Sequence, residues 1–450
     1  LISSRWSARK QGSEAANIKT LKTLFPTFSS VNYNHESEWN MAKYLTLDDV
    51  QVKNKVVLVR VDFNSEIDPE TKNVTSDVRI RAHAETTIKE LAEKGAKVVI
   101  LAHQGRKGEA DFTPLKQHAE ILGKILQCPV KYVDDVFGEK AKNAIRNLQA
   151  GEILVLENVR SWDGETKKGT PEQQSKTELV QNLAPLADLF VNDAFAAAHR
   201  GHVSMVGFTA VLPSVAGRIM ERELKSLSKA LEQPEKPCVY VMGGAKADDS
   251  LEISKYVLGN GIADYVVVGG VTAQLFLAAK GVDLGKGNMA FLEKKQLMGL
   301  VPGIQALMKQ YPEGVVVPVD VAIDVDGKRK EITVAELPSE YSIFDIGAKT
   351  AENYGKLIAA AKSIVVSGPM GVYENKEFNY GTRKVFEAIA DSKGFSLAGG
   401  GNTIAALQEY GLSDKIGYIS TAGGALIEFL MGKKLPGVVA LENAVKTKKI

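Results

Sequence analysis

At 450 residues the chain can build two hydrophobic cores of ordinary domain size, and 44% hydrophobic with 24% charged residues are globular proportions. A formal net charge of +2 supplies no field suited to nucleic acid or an anionic bilayer, and no apolar run reaches the ~18 to 20 residues of a membrane span. The two cysteines, Cys128 and Cys238, lie far apart and offer no metal-ligand spacing; they read as packed thiols of a reducing compartment, the cytoplasm.

Residues 1–40 begin without Met and are rich in Ser, Lys and Arg (LISSRWSARKQGSEAANIKTLKTLF). A transit peptide shares that composition, but a disordered extension outside the fold is the simpler reading. From Met41 the grammar changes. Strand-length apolar runs at VVLVRVDF (56–63), KVVILAH (97–103), ILVLENV (153–159) and LFVNDAF (189–195) alternate with stretches of helical period such as VRIRAHAETTIKELAEKG and TPLKQHAEILGKILQ. Apolar runs without a polar face predict parallel strands covered by helices on both sides. This first domain spans 41–213. SVAGRIMERELKSLSKALEQPEKP (214–237) has apolar positions at helical spacing, closed by Pro234 and Pro237, and predicts one interdomain helix over 214–236. A second α/β domain follows over 237–430, with a C-terminal segment at 431–450. Its strand candidates are CVYVMGG, ADYVVVGG, GVVVPVDVAI, SIVVSGP, FSLAGGG and IGYISTAGG, each followed by a helical pattern. The fold class is therefore α/β: two doubly wound parallel-sheet, Rossmann-like domains joined by a helix.

In open parallel sheets ligands bind beyond the carboxyl ends of the strands, so the residues after each run are the candidates. In the first domain they are Asp62 and Asn64 (RVDFN), His103 and Arg106 (AHQGR), Arg160 (LENVR), and His199, Arg200 and His202 (NDAFAAAHRGH). Arg79, opening the first helix, reaches for the same edge. Any one loop Arg or His is more often solvated or capping a helix. Four strand ends delivering such groups to one edge make a bed for a small polyanion, because guanidinium forks match phosphate and carboxylate oxygens.

The second domain ends its strands with glycines: Gly243-Gly244, Gly269-Gly270, Gly399 to Gly401 and Gly423-Gly424. Such turns let a base or phosphate approach the backbone at a helix N-terminus. One is weak evidence, since tight βα loops favour Gly; four in one domain suggest a nucleotide site. There is no GxxxxGK[ST], and no GxGxxG follows a strand, which argues against a P-loop and against a nicotinamide-dependent oxidoreductase. Lys246, the cation among these turns, is placed to hold a phosphoryl group, although a salt-bridged surface lysine would look the same. An anion bed on one domain and nucleotide turns on the other fit phosphoryl transfer, which needs in-line positioning, charge neutralisation and exclusion of water after a closing motion.

The segments RVDFN, AHQGR, LENVR, VNDAFAAAHRGHVSMVG, GGAK, SGPMGVYE, GGGNT and STAGGALIEFLMGKKLPGV, in this order over roughly 43 to 444, resemble the phosphoglycerate kinases; DDSLEI after GGAK looks like their archaeal branch. The resemblance implies a glycolytic kinase with a carboxyl group as acceptor, moving a phosphoryl group between 1,3-bisphosphoglycerate and MgADP, with 3-phosphoglycerate and ATP as products. It implies a cytoplasmic monomer or small homo-oligomer with no nucleic-acid or membrane partner. Carried onto this sequence, it places the acid on Asp62, Phe63, Asn64, Arg79, His103, Gln104, Gly105, Arg106, Arg160, His199 and Arg200, with His202 in support. It places the nucleotide on Gly244, Lys246, Gly269, Pro369, Glu374, Gly400, Gly401, Asn402 and Thr403, and makes Arg79, Lys246 and Arg200 catalytic. Three positions depart from the common pattern: Ser250 in place of a second lysine, Ser367 in place of the Asn of WNGP, and Asn402 in place of an aspartate on Mg²⁺. An amide oxygen with the nucleotide phosphates still suits Mg²⁺, at weaker capture. A non-catalytic nucleotide- or anion-binding protein on the same fold is the alternative that these departures raise.

Overall fold

Val56–Arg60 (β1) is a run of β-branched and long apolar residues ending on an arginine, and its residues divide alternately between two cores. In the computed structural model, which describes residues 44–447, it lies inside a six-stranded parallel sheet. The other strands are Lys97–Leu101 (β2), Val130–Tyr132 (β3), Ile153–Val155 (β4), Leu189–Asn192 (β5) and Ser214–Ala216 (β6), in the order β3-β4-β2-β1-β5-β6. Val57, Val59, Val98, Ile100 and Val191 bury one face. The helical segments Val78–His83 (α1), Lys89–Glu93 (α2) and Lys116–Leu126 (α3) cover it through Ile80, Leu91 and Leu122. Leu58, Val99, Leu101 and Phe190 bury the other face under Glu139–Arg146 (α4) and Glu178–Leu183 (α5). Between α1 and α2 the helix makes a π turn over Ala84–Ile88.

Arg218–Leu231 (α6) follows β6, and packing divides the described chain within this helix. Residues up to Lys225, with 424–429 and 433–447, form one unit; residues 226–423, with 430–432, form the other. The helix expected over 214–236 is shorter at both ends. Ser214–Ala216 pairs with β5, and Gly217, where a Cβ would run into the Asp193 side chain, stands between strand and helix.

The second unit repeats the parallel scheme with Cys238–Met242 (β7), Tyr265–Val268 (β8) and Val315–Val316 (β9) on one side of its order. A separate antiparallel sheet follows, made of Asp320–Val325 (β10), Lys328–Thr333 (β11) and Ile343–Ile346 (β12). Ser363–Ser367 (β13), Phe395–Gly399 (β14) and Tyr418–Ser420 (β15) complete the order β15-β14-β13-β7-β8-β9. Helices Ala247–Gly259 (α7), Gly270–Ala279 (α8), Val301–Gln310 (α9), Ala348–Ala360 (α10), Tyr380–Asp391 (α11) and Gly401–Glu409 (α12) connect them. Val239, Val241, Val267, Ile364 and Val366 pack against Tyr354, Leu357 and Phe386 of α10 and α11.

The stretch GVVVPVDVAI is not one strand followed by a helix. Pro318 stops β9, and the residues beyond it open the antiparallel sheet, whose first hairpin turns on Asp326 (φ 50) and Gly327 (φ 80). Cys128 is exposed rather than packed; Cys238 is buried, which pushes its thiol up to about 12, and both are free. Residues 1–43, which include the expected N-terminal extension, lie outside the described residues. No helix among the described residues is long and apolar enough to cross a membrane.

Phe190 is fully buried on the strand beside β1 and stacks on Phe208 at 5.2 Å. Phe190→Ala should cost about 3 to 5 kcal/mol and lower the urea midpoint of the first unit accordingly; a change below about 1 kcal/mol would show that the site collapses around the truncation.

Candidate active site: an arginine bed and a cluster of glycine turns

The sheet of the first unit reverses direction of winding between β1 and β5, and the crevice at the carboxyl ends of the strands lies there. β4, β2, β1 and β5 are neighbours, so the segments after them converge. Two buried amides hold them. The Gln104 side chain accepts from Ser65 N at 2.8 Å and donates to Ser65 O and Asp111 O at 3.1 Å. Asn158 donates to Gln104 O at 2.8 Å and accepts from Arg160 N at 3.1 Å. Asn64 Oδ1 then accepts from Gly105 N at 2.8 Å, and an Arg160 Nη donates to Gly105 O. Phe63 is in the core, stacked on His118, so its side chain and that of Gln104 build the site rather than line it.

The cations of these segments feel one another. Arg160 is buried, which pushes its guanidinium down to about 10, and Arg200 and Arg60 push in the same direction. Arg200, half-buried, is lowered by burial and by Arg106. His103 is held well below the usual imidazole range by burial and then by Arg60, Arg160 and Arg200. His202 falls to about 3, again by burial first and then by Arg200, Arg160 and Arg60. His199 is lowered by burial and Arg200; its Nε2 accepts from Arg200 Nε at 3.1 Å. A group of guanidiniums with neutral imidazoles among them is a site short of negative charge. Asp62, paired with Arg79 of α1, is the carboxylate at its rim.

The sequence reading missed the residue at the base of this bed. Arg60, 2% exposed, ends β1; its Nη2 meets His103 Nδ1 at 3.0 Å and its Nε donates to Ser204 Oγ at 2.8 Å. The Ser204 hydroxyl passes a hydrogen bond to Glu165 Oε1 at 2.6 Å, and Glu165 Oε2 accepts from Ser204 N at 2.9 Å. Glu165 is wholly buried, and its carboxyl is raised by burial against the pull of Arg60. A charged residue closing an apolar strand was a readable signal for Arg60. Glu165, in the polar run DGETKKG, carried none.

In the second unit the sheet reverses between β13 and β7. The turns after these strands and their neighbours bond backbone to backbone. Gly243 N donates to Ser367 O and Gly244 N to Pro369 O, both at 2.8 Å, and Gly270 N donates to Met370 O at 2.7 Å. A Cβ on Gly368 (φ 95) would strike Gly243, so side chains are excluded where the turns cross. Thr403 Oγ1 accepts from Gly368 N at 2.7 Å and ties these turns to the start of α12. No side chain caps α12, so its first N–H groups face outward past Gly400, Gly401 and the exposed Asn402. Lys246 precedes α7, exposed, and among the described residues no carboxylate pairs with it within 4.0 Å. Ser250 is buried and returns its hydroxyl to Lys246 O at 3.1 Å, closing a helical turn. Glu374 is exposed beyond the buried Pro369, and Gly269 packs on Met370.

Sheet-end arginines in one unit and a bare helix N-terminus among glycine turns in the other define an α/β protein that handles phosphate. The family model for phosphoglycerate kinase matches residues 47–433. The phosphoglycerate kinase of Methanothermobacter thermautotrophicus is 49% identical over 402 residues, 89% of this chain and 97% of its own. That of Methanobacterium bryantii is 48% identical over 405 residues, 90% of this chain and 98% of its own. The crystal structure of the Pyrococcus horikoshii OT3 enzyme superposes with a TM-score of 0.81 at 41% identity, covering 90% of this chain and 100% of that one. The chain belongs to the phosphoglycerate kinase family, and these archaeal relatives agree with the branch read from DDSLEI.

Buried neutral imidazoles make stability depend on pH. His118 falls to about 4, chiefly by burial, and His202 to about 3. The unfolded chain binds protons that the folded one refuses below the ordinary imidazole value of about 6.5. Their contribution is therefore complete above that pH and drains away as pH falls toward the folded values. The urea midpoint should fall between about pH 7 and 4.5, and His118→Gln should flatten that fall; an unchanged slope would mean that His118 is not held neutral.

Proposed function

We propose that this chain catalyses reversible phosphoryl transfer from 1,3-bisphosphoglycerate to MgADP, giving 3-phosphoglycerate and MgATP. The observation that carries the reading is the arginine bed: Arg60, Arg106, Arg160 and Arg200 are close enough to depress one another or the imidazoles between them. A bound polyanion would offset what Glu165 and Asp62 leave of that cost. In this reading His103, Arg106, Arg160 and Arg200, with His199 and His202, hold the phosphate of the acid, and Asp62 and Asn64 its hydroxyl and carboxyl region. Arg79 releases its hold on Asp62 to meet the carboxyl group and the phosphoryl group in flight. Lys246 and the N-terminus of α12 meet the nucleotide phosphates, Gly244, Gly269 and Pro369 the base, and Glu374 the ribose.

Transfer between a carboxylate and a phosphoanhydride moves no proton. In the direction of ATP use, a carboxylate oxygen forms the new bond to phosphorus while the bridging oxygen leaves with both electrons of the old one. The site therefore needs donors rather than a base, and imidazoles held neutral supply them. Among the described residues no three His, Cys, Asp or Glu side chains group to hold a metal ion. The Asn402 amide oxygen is the protein group that would meet a divalent cation bound to the nucleotide phosphates. Mg²⁺ supplies neutralisation of phosphate charge. The non-catalytic alternative gains nothing from Ser250, which is spent inside its own helix, or from a bed with no arginine lost.

A coupled assay with 1,3-bisphosphoglycerate and MgADP tests the reading, which expects ATP. Arg79→Ala should lower turnover by about 10³-fold while leaving nucleotide affinity within about twofold. Turnover within about twofold of the unaltered chain would remove Arg79 from the chemistry.

A further inference from the structure

Beneath Asp62 lies a buried pair that the reading above leaves unused. His83, four residues after Arg79 on the same helix, is 3% exposed, and Asp193, at the end of β5, is 0% exposed. His83 Nδ1 lies 2.6 Å from Asp193 Oδ2, and Asp62 N donates to His83 Nε2 at 3.1 Å. The second bond settles the tautomer: Nε2 must present its lone pair, so the ring proton sits on Nδ1 and is donated to Asp193. Phe63 packs edge-on against the ring at 6.3 Å between centroids.

Asp193 is itself fixed. Its Oδ1 accepts from Ile219 N at 2.8 Å and Met220 N at 3.2 Å, two of the first N–H groups of α6. Thr87 Oγ1, one helical turn beyond His83, takes Arg218 N at 2.8 Å. The start of α6 thus pins one oxygen of Asp193, and among the described residues the other bonds only the His83 ring.

Resting on the proposed reading, we infer that His83 is a positioning residue for the acid substrate: Asp193 fixes its tautomer so that it can hold the Asp62 backbone. The segment from Asp62 to Asn64 carries the partner of Arg79 and the amide that closes on Gly105. The chain from α6 through Asp193 and His83 to Asp62 is continuous, and Asp193, His83 and Asp62 are all buried.

Asp193→Asn separates this role from mere packing. The helix N–H groups demand an oxygen, so they keep the new carbonyl, and the amide NH₂ must face His83. The imidazole then takes its other tautomer and presents N–H to the N–H of Asp62, two donors head to head. Shape and helix cap are retained. With the full chain, KM for 3-phosphoglycerate should rise at least about tenfold while KM for ATP stays within about twofold. Adding His83→Gln to Asp193→Asn should recover most of that loss, because a glutamine oxygen can accept from Asp62 N whatever faces it. Should Asp193→Asn fail to fold, the same comparison runs between single variants: His83→Gln should keep KM for the acid at least about fivefold lower than His83→Ala. An acid KM that does not move, an equal rise in both KM values, or no recovery by glutamine would overturn the inference while leaving the proposed reaction standing. Absence of turnover in the unaltered chain would overturn the reaction, and this inference with it.

Discussion

The structure depends on one costly arrangement: several guanidiniums brought together at the edge of a parallel sheet, with one of them, Arg60, sealed beneath the rest. Burying a charge is expensive unless it is paired and hydrogen-bonded. Arg60 meets that demand through Ser204 and His103, with Glu165 as its distant counter-charge. Beyond it the carboxylates are few. Asp62 pairs with Arg79 and acts on Arg200 from a distance, Glu165 acts on Arg160, and among the described residues no carboxylate forms an ion pair with Arg106, Arg160 or Arg200. In the proposed reading a polyanion completes the arrangement, and the neutral imidazoles add donors without adding to the repulsion.

The second unit solves a different problem by a different means. Its turns approach so closely that backbone meets backbone, and glycine is required because a side chain would fill the crossing. What remains exposed is the bare start of α12, a site of partial positive charge made from peptide groups alone. In the proposed reading one unit would therefore meet its ligand with side-chain charge and the other with main-chain dipoles. Side-chain charge suits a small acid that offers little else to grip, and main-chain dipoles suit a ligand with a flat base and a phosphate tail.

Much of this was legible in the sequence, for reasons that can be stated. Parallel strands buried on both faces appear as unbroken apolar runs, so the principal strands and the residues just past them could be located, and with them the bed. Short edge strands such as Val130–Tyr132 bury too little to leave a pattern. The antiparallel sheet was missed because its second strand, KRKEIT, is largely exposed and polar, although Asp326-Gly327 was a hairpin signal in plain view. The buried supports of the site were illegible for a deeper reason. His83 inside a helix looks like any polar helical residue, and its partner Asp193 stands 110 positions away, joined to it by the fold alone. Glu165 and Ser204 are the same case. Charges at the ends of strands announce themselves; the groups that orient them do not.

The central claim is that the arginine bed is the seat of the acid. Calorimetric titration of 3-phosphoglycerate into the unaltered chain and into Arg200→Met tests it most directly, with ATP titrated alongside. The account predicts that the unaltered chain binds the acid with an affinity that falls as salt rises, that Arg200→Met loses at least about tenfold of it, and that ATP binding is unmoved. Acid binding that survives the substitution undiminished would contradict the account.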